Sequence, residues 1–209
     1  MKQFKNLIFD LGDVIIDIDI NAALQQFQKL AIQDFSELLS NSNKNNFLYL
    51  FETGKITADQ FRSQLKLFLK PSTTDKEINT AWNSIITNYP ESKFKLLQKL
   101  KLSYRTFALS NTNEIHVATF NNTIQHKFGG KGLEDFFHGV YYSNELGFRK
   151  PDKEIYELVL QKENLNPDET FFVDDLFHNI ETAKKLNIHA YQLTDRNKLF
   201  ELLAELHII

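Results

Sequence analysis

The stretch Asn6-Leu7-Ile8-Phe9-Asp10-Leu11-Gly12-Asp13-Val14-Ile15 decides the fold. Its apolar half is short and ends abruptly on an acid followed by a glycine. That pattern reads as a fully buried strand running into a tight turn, with Asp10 at the strand's carboxyl end. Two later segments repeat the theme. Thr106-Phe-Ala-Leu109 ends at Ser110-Asn111, and Thr170-Phe-Phe-Val173 ends at Asp174-Asp175. Gly139-Val-Tyr-Tyr142 and His189-Ala-Tyr-Gln-Leu193 complete a set of five predicted strands. Helical spacing separates them at Phe94/Leu97/Leu100, Ile155/Leu158/Val159 and Ile180/Ala183/Leu186, and a helix with Leu199, Leu202, Leu203 and Leu206 closes the chain. Strands alternating with helices predict an α/β fold, a Rossmann-like parallel sheet covered on both faces.

Between the first and second of these strands the pattern changes. Residues 20–90 read as a run of helices with no strand: Leu24/Phe27/Leu30, then Phe35/Leu38/Leu39, then two capping boxes. These are Thr57-Ala-Asp-Gln60 before Phe61, Leu65 and Phe68, and Thr74-Asp-Lys-Glu77 before Ile78, Ala81, Trp82 and Ile85. The expected organisation is a core of residues 1–17 and 92–209, with an all-helical insertion over 18–91. Trp82 and the insertion's phenylalanines are expected to form its own small core.

Composition narrows the function. The 209 residues include no cysteine, which excludes a disulfide scaffold, cysteine-ligated zinc and a thiol nucleophile. A net charge of −3 lacks the basic excess of a dedicated nucleic-acid binder. Asp10 and Asp13 interrupt the N-terminal apolar run before it reaches the length of a signal peptide or a membrane span, so a soluble cytoplasmic protein without membrane association is expected.

In open parallel sheets, reactive groups collect beyond the carboxyl ends of the strands. Here those positions hold Asp10, Ser110-Asn111, Lys150 and Asp174-Asp175. Hard oxygen ligands with few carboxylates suit a magnesium ion shared with substrate phosphate oxygens, and a carboxylate also serves as a covalent nucleophile. Each piece alone has an ordinary account. Asp10 reads as a turn residue, Ser110-Asn111 as the cap of a helix starting near Thr112, and Lys150 as a solvated charge. Asp174-Asp175 calls for a cation or a helix N-terminus, because adjacent acids repel when partly buried. Gly129-Gly-Lys-Gly132 lacks phosphate-loop spacing, His116 and His126 show no ligand spacing, and His178, near the acids, reads as a solvated residue or minor cap at a helix start.

Taken together, Ile8-Phe-Asp-Leu-Gly-Asp-Val-Ile15, Leu109-Ser-Asn-Thr112, Arg149-Lys-Pro151 and Phe172-Val-Asp-Asp175 resemble the four motifs of the haloacid dehalogenase-like (HAD) hydrolases. An all-helical cap inserted after the first strand is also a feature of that superfamily. The run Phe9-Asp-Leu-Gly-Asp-Val-Ile-Ile-Asp-Ile-Asp19 looks most like a branch that contains bacterial sugar-1-phosphate phosphatases. The resemblance implies a magnesium-dependent phosphatase acting on a small phosphorylated metabolite, with a sugar 1-phosphate as candidate substrate. It implies that Asp10 becomes a transient aspartyl phosphate, that Ser110 and the Asn111 backbone hold the phosphoryl group, and that Lys150 stabilises charge. Asp10, the Gly12 carbonyl, Asp174 and Asp175 would hold the metal, Asp175 directly and Asp174 through water or by orienting the site. Asn179 would support the acidic loop, and Arg149 is a further candidate for substrate contact.

One position departs from the pattern. Most phosphatases of the superfamily carry an Asp two residues after the nucleophile as general acid and base, and here that residue is Gly12. General acid–base help is worth about 10²–10⁴-fold. The departure therefore implies a slow enzyme or an easily expelled leaving group, and it leaves a non-catalytic binding protein as the alternative. Asp13 is either a substitute acid or a turn residue facing away.

Overall fold

The computed structural model describes residues 4–31, 46–130 and 132–209. The five predicted strands are present as β1 (Asn6–Phe9), β4 (Arg105–Ser110), β5 (Gly139–Tyr142), β6 (Thr170–Asp174) and β7 (His189–Gln192). They form one sheet in the order β5-β4-β1-β6-β7, every neighbouring pair parallel. β1 lies at the centre, and its four residues are all buried.

Alternation along the strands splits the core into two layers. Leu7, Phe9, Ala108, Phe171 and Val173 face one layer, which helices α5 (Glu91–Leu100), α6 (Glu114–Phe128) and α10 (Leu199–Glu205) cover with Phe94, Leu97, Phe120, Ile124, Leu199 and Leu203. Ile8, Phe107, Leu109 and Phe172 face the other, against Ile155, Tyr156 and Val159 of α8 (Lys153–Glu163) and Ile180 and Ala183 of α9 (Phe177–Lys185). Each such fully buried aliphatic or aromatic side chain contributes about 1.5–3 kcal/mol. Burial on both faces explains why these strands read as unbroken apolar runs rather than alternating ones.

The segment between β1 and β4 carries α1 (Ile20–Leu30), α2 (Phe47–Glu52), α3 (Ala58–Lys66) and α4 (Asp75–Asn83). Both capping boxes form as the sequence predicts, at Thr57/Gln60 and Thr74/Glu77. Phe27, Phe51, Phe61, Leu65, Ile78, Ala81 and Trp82 make a separate cluster, with Phe51 and Phe61 stacked at 4.1 Å. Ile115 of α6 joins that cluster from the sheet side. The helix expected around Phe35, Leu38 and Leu39 lies outside the described residues.

The expectation of no strand in residues 20–90 is overturned. Ile86–Asn88 forms β3, which pairs antiparallel with β2 (Asp17–Ile18) in a two-stranded ribbon. Strands of two and three residues are too short to display a period of two, so nothing in their pattern marks them. Among the described residues, no helix is long and apolar enough to cross a membrane.

Candidate active site

Because the strands run parallel and in register, their carboxyl ends meet at one edge. Phe9 pairs with both Ala108 and Val173, and the Asp10 amide donates to the Val173 carbonyl at 2.9 Å. Asp10, Ser110 and Asp174 are therefore brought together although the first is 100 and 164 positions away in the chain from the others. Lys150 arrives from the loop before α8. It is not the solvated charge that its local sequence suggests: its side chain is 1% exposed. Its ammonium donates to Asp10 Oδ1 at 2.7 Å, Asp174 Oδ2 at 2.6 Å and the Leu109 carbonyl at 2.8 Å. Three donors meet three acceptors, which is the full capacity of an ammonium group.

The neighbours hold this arrangement in place. The Asn111 side chain accepts from the Lys150 amide and donates to the Lys150 carbonyl, both at 2.8 Å. It thus clamps the lysine's backbone rather than capping a helix, and α6 begins later, at Glu114, with Asn113 as its cap. Asp174 Oδ1 accepts from the Leu176 amide at 2.9 Å and from Asn179 Nδ2 at 2.8 Å. With Oδ2 on Lys150, both oxygens of Asp174 are engaged. Asp175 has no comparable set of donors and lines the open cavity instead.

Charge is unbalanced here. Asp10, Asp174 and Asp175 each present a carboxylate oxygen within 4.8 Å of the others, and among the described residues Lys150 is the cation bonded to Asp10 and Asp174. Burial, opposed by Lys150 and reinforced by Asp174 and Asp175, pushes the Asp10 carboxyl up to about 7. Burial and Asp174 push Asp175 up to about 6. Burial acts to lower the Lys150 pKa, but Asp10 and Asp174 more than offset it and raise it. Three hard oxygen donors carrying surplus negative charge fit a small divalent cation, which would remove the repulsion.

A cavity of about 400 Å³ opens over this cluster, lined among others by Asp10, Gly12, Ser110, Asn111, Lys150 and Asp175. Asp13 lies in a turn, as one of its two expected readings has it, but it lines the cavity rather than facing away. It adopts a left-handed backbone, φ 53°, and its Oδ1 accepts from the Ile18 amide at 3.1 Å and forms an ion pair with Arg196 Nη1 at 2.8 Å. At Gly12 the space for a side chain is partly taken: a Cβ there would stand 3.1 Å from Ile18 Cδ1 on β2. Arg149 and Arg196 line the same cavity. Sequence reasoning missed Arg196, although it lies just beyond the carboxyl end of β7 and the strand-end rule applies to it equally. His116 is set aside as expected. It is buried against Trp82 at 5.1 Å with its ring nitrogens facing Asn113 and the Trp82 carbonyl, and burial lowers its pKa to about 4.

The sequence profile of the haloacid dehalogenase-like hydrolases matches residues 4–187. The chain belongs to this family. Among HAD proteins, it is 34% identical over 190 residues to the D-ribitol-5-phosphate phosphatase of Bacteroides thetaiotaomicron, covering 91% of this chain and 92% of that one. A solved HAD family enzyme from the same organism, in complex with magnesium and inorganic phosphate, superposes with a TM-score of 0.85 at 34% identity. That match covers 90% of this chain and 93% of the other. An HAD-like hydrolase from Porphyromonas gingivalis gives a TM-score of 0.86 at 28% identity, covering 98% of each. The HAD fold thus accounts for the parallel sheet, and the chain is a hydrolase by family.

Proposed function

We propose that this HAD protein is a magnesium-dependent phosphatase that hydrolyses a small sugar or polyol phosphate through an aspartyl phosphate on Asp10. The observation that carries the reading is the strand-end cluster, with three carboxylates gathered on one buried ammonium. The related phosphatase and the magnesium–phosphate complex of a structural neighbour support it. In this reading residues 1–17 and 92–209 form the catalytic core and 18–91 the cap.

Asp10 would attack phosphorus while the ester P–O bond to the leaving alcohol breaks, and water would then cleave the acyl phosphate to release inorganic phosphate and regenerate Asp10. Lys150 holds Asp10 Oδ1 and so fixes which oxygen is free to attack. Ser110 and the Asn111 backbone would hold the phosphoryl oxygens, and the Asn111 side chain keeps Lys150 in position. Asp10, the Gly12 carbonyl and Asp175 would contact magnesium directly, with Asp174 orienting the site because its oxygens are already engaged. The bound ion supplies charge neutralisation for the carboxylates and for the phosphoryl group in the transition state.

Gly12 favours a second reading, a non-catalytic binder of phosphorylated metabolites, since Ile18 crowds the place of the usual acid. An anomeric hydroxyl is expelled with less protonation than an ordinary alcohol, which supports a sugar 1-phosphate; the name of the relative supports a terminal polyol phosphate. Phosphate release from a panel holding sugar 1-phosphates, sugar and polyol terminal phosphates and an aryl phosphate tests both points. Magnesium-dependent turnover that vanishes in Asp10→Asn is expected. Equal rates in the two proteins would sink the catalytic reading.

A further inference from the structure

A second cavity of about 170 Å³ abuts the first. The two share Gly12, Ile18, Ser110 and Asn111. Its walls come from both parts of the chain. Leu11, Ile16 and Phe120 lie on the sheet side, while Ile85, Ile86 and Glu52 come from the helical segment. The lining is apolar except for a few groups, and of these Glu52 is the carboxylate. A compartment of this size takes roughly six water-sized groups, which matches a short carbon chain and not a bulky one.

Glu52 ends α2, and its position is specified from both sides. Oε2 is shielded from solvent and lies 2.5 Å from Arg149 Nη1, and Arg149 itself lines the first cavity beside Asp10. The Arg149 guanidinium also sits 5.8 Å over the Tyr49 ring, and the Tyr49 hydroxyl donates to Asp152 at 2.8 Å. One turn of α2 is thereby fastened to the loop that carries Lys150. A carboxylate has about four acceptor sites, and the guanidinium contact uses only part of that capacity. Burial, opposed by Arg149, pushes the Glu52 carboxyl up.

We infer that Glu52, paired with Arg149, is the specificity contact for the leaving group: the second cavity takes the carbon chain of the substrate, and the Glu52 carboxylate accepts hydrogen bonds from its hydroxyls. The inference rests on the phosphatase reading for the placement of the phosphoryl group over Asp10. It explains why a carboxylate stands in a pocket whose remaining lining is uncharged side chains and His116. A site built to bond a hydroxyl discriminates strongly against an analogue without one, because the buried polar group is then left unpaired.

The test compares a five-carbon polyol phosphate with pentyl phosphate, which has the same chain without hydroxyls, in the full-length wild type, Glu52→Gln and Glu52→Ala. Wild type is expected to prefer the polyol phosphate in kcat/KM by at least tenfold, and both variants to lose most of that preference. A preference unchanged in the variants, or absent in wild type, overturns the inference. So does an equal fall for both substrates, which is the mark of a purely structural fastening. Calorimetric titration of the polyol phosphate and of inorganic phosphate into Asp10→Asn and Asp10→Asn/Glu52→Gln, with magnesium present, separates this claim from the phosphatase reading. Weaker polyol phosphate binding with unchanged inorganic phosphate binding supports the Glu52 contact even if no turnover is seen. Equal weakening of both, or of neither, counts against it.

Discussion

The two adjoining cavities of this protein are built on opposite principles. The first lies over the sheet edge, and its chemistry is supplied by groups that follow strands β1, β4 and β6 directly. The second lies between the sheet and the helical segment, and its single carboxylate sits at the end of a six-residue helix. In the first, backbone hydrogen bonding sets the positions of Asp10, Ser110 and Asp174 to within the register of a strand. In the second, position depends on how the helical segment packs. Reaction chemistry is therefore expected to be intolerant of substitution, and selectivity to be adjustable.

The largest break should come at Asp10. Asp10→Asn keeps shape but removes the nucleophile, and a loss of about 10³-fold or more in kcat is expected from single-turnover assays. Lys150→Met should follow, in stability as well as rate. Removing the ammonium leaves Asp10 and Asp174 buried without their counter-charge, a cost of about 3 kcal/mol or more. For a chain of this length that corresponds to roughly 6–12 °C in Tm. Melting curves without metal should show the deficit at pH 8 and a smaller one at pH 5, where the Asp10 carboxyl, raised to about 7, is protonated. An equal deficit at both would mean that packing, not charge, is lost.

Asn179→Ala removes the bond to Asp174 Oδ1. Outer-shell partners of metal ligands are typically worth 10–100-fold in affinity, so magnesium titration should show about a tenfold weaker site. An unchanged affinity would remove Asp174 from the metal account.

Gly12→Asp should act in the other direction. It restores an acid two residues after the nucleophile at the expense of Ile18, which must give by a few tenths of an ångström. A rise in kcat of about tenfold for substrates with poor leaving groups is expected, larger in Gly12→Asp/Ile18→Ala. No rise in the double variant would show that the missing acid does not limit turnover.

The smallest effect is in the pH dependence of metal binding. Asp10 and Asp175 have carboxyls raised to about 7 and about 6 in the metal-free protein. Groups raised on folding stabilise the native state while protonated, and that stabilisation is lost as pH rises from about 4 through 7. Magnesium replaces the protons, so its stabilising shift in Tm should grow from pH 5.5 to pH 8. A constant shift would contradict the raised carboxyls.

The contrast between the cavities also explains what could be read in advance. Asp10, Ser110 and Asp174 were legible because each terminates an apolar run, and parallel strands must bring such ends together. Lys150 had no local signal of burial; its setting comes from carboxylates 140 and 24 residues away. The bond of the Asn111 side chain to the Lys150 backbone had no local signal, because Asn is a common cap and its partner lies 39 residues away. β2 and β3 escaped notice because five residues in all carry no periodicity, yet Ile18 from that ribbon crowds Gly12. Glu52 was invisible because its setting depends on how the helical segment packs. A lone acid at the end of an amphipathic helix is indistinguishable from a solvated one until the packing is known.

The account's central claim is that Asp10 carries the phosphoryl group in the course of hydrolysis. Acid quenching within the first turnover, using polyol phosphate labelled with ³²P, tests it most directly. Label is predicted on the peptide containing Asp10, stable to acid and released by hydroxylamine, and absent from Asp10→Asn. Phosphate release with no label on the protein, or with label on another residue, would contradict the account.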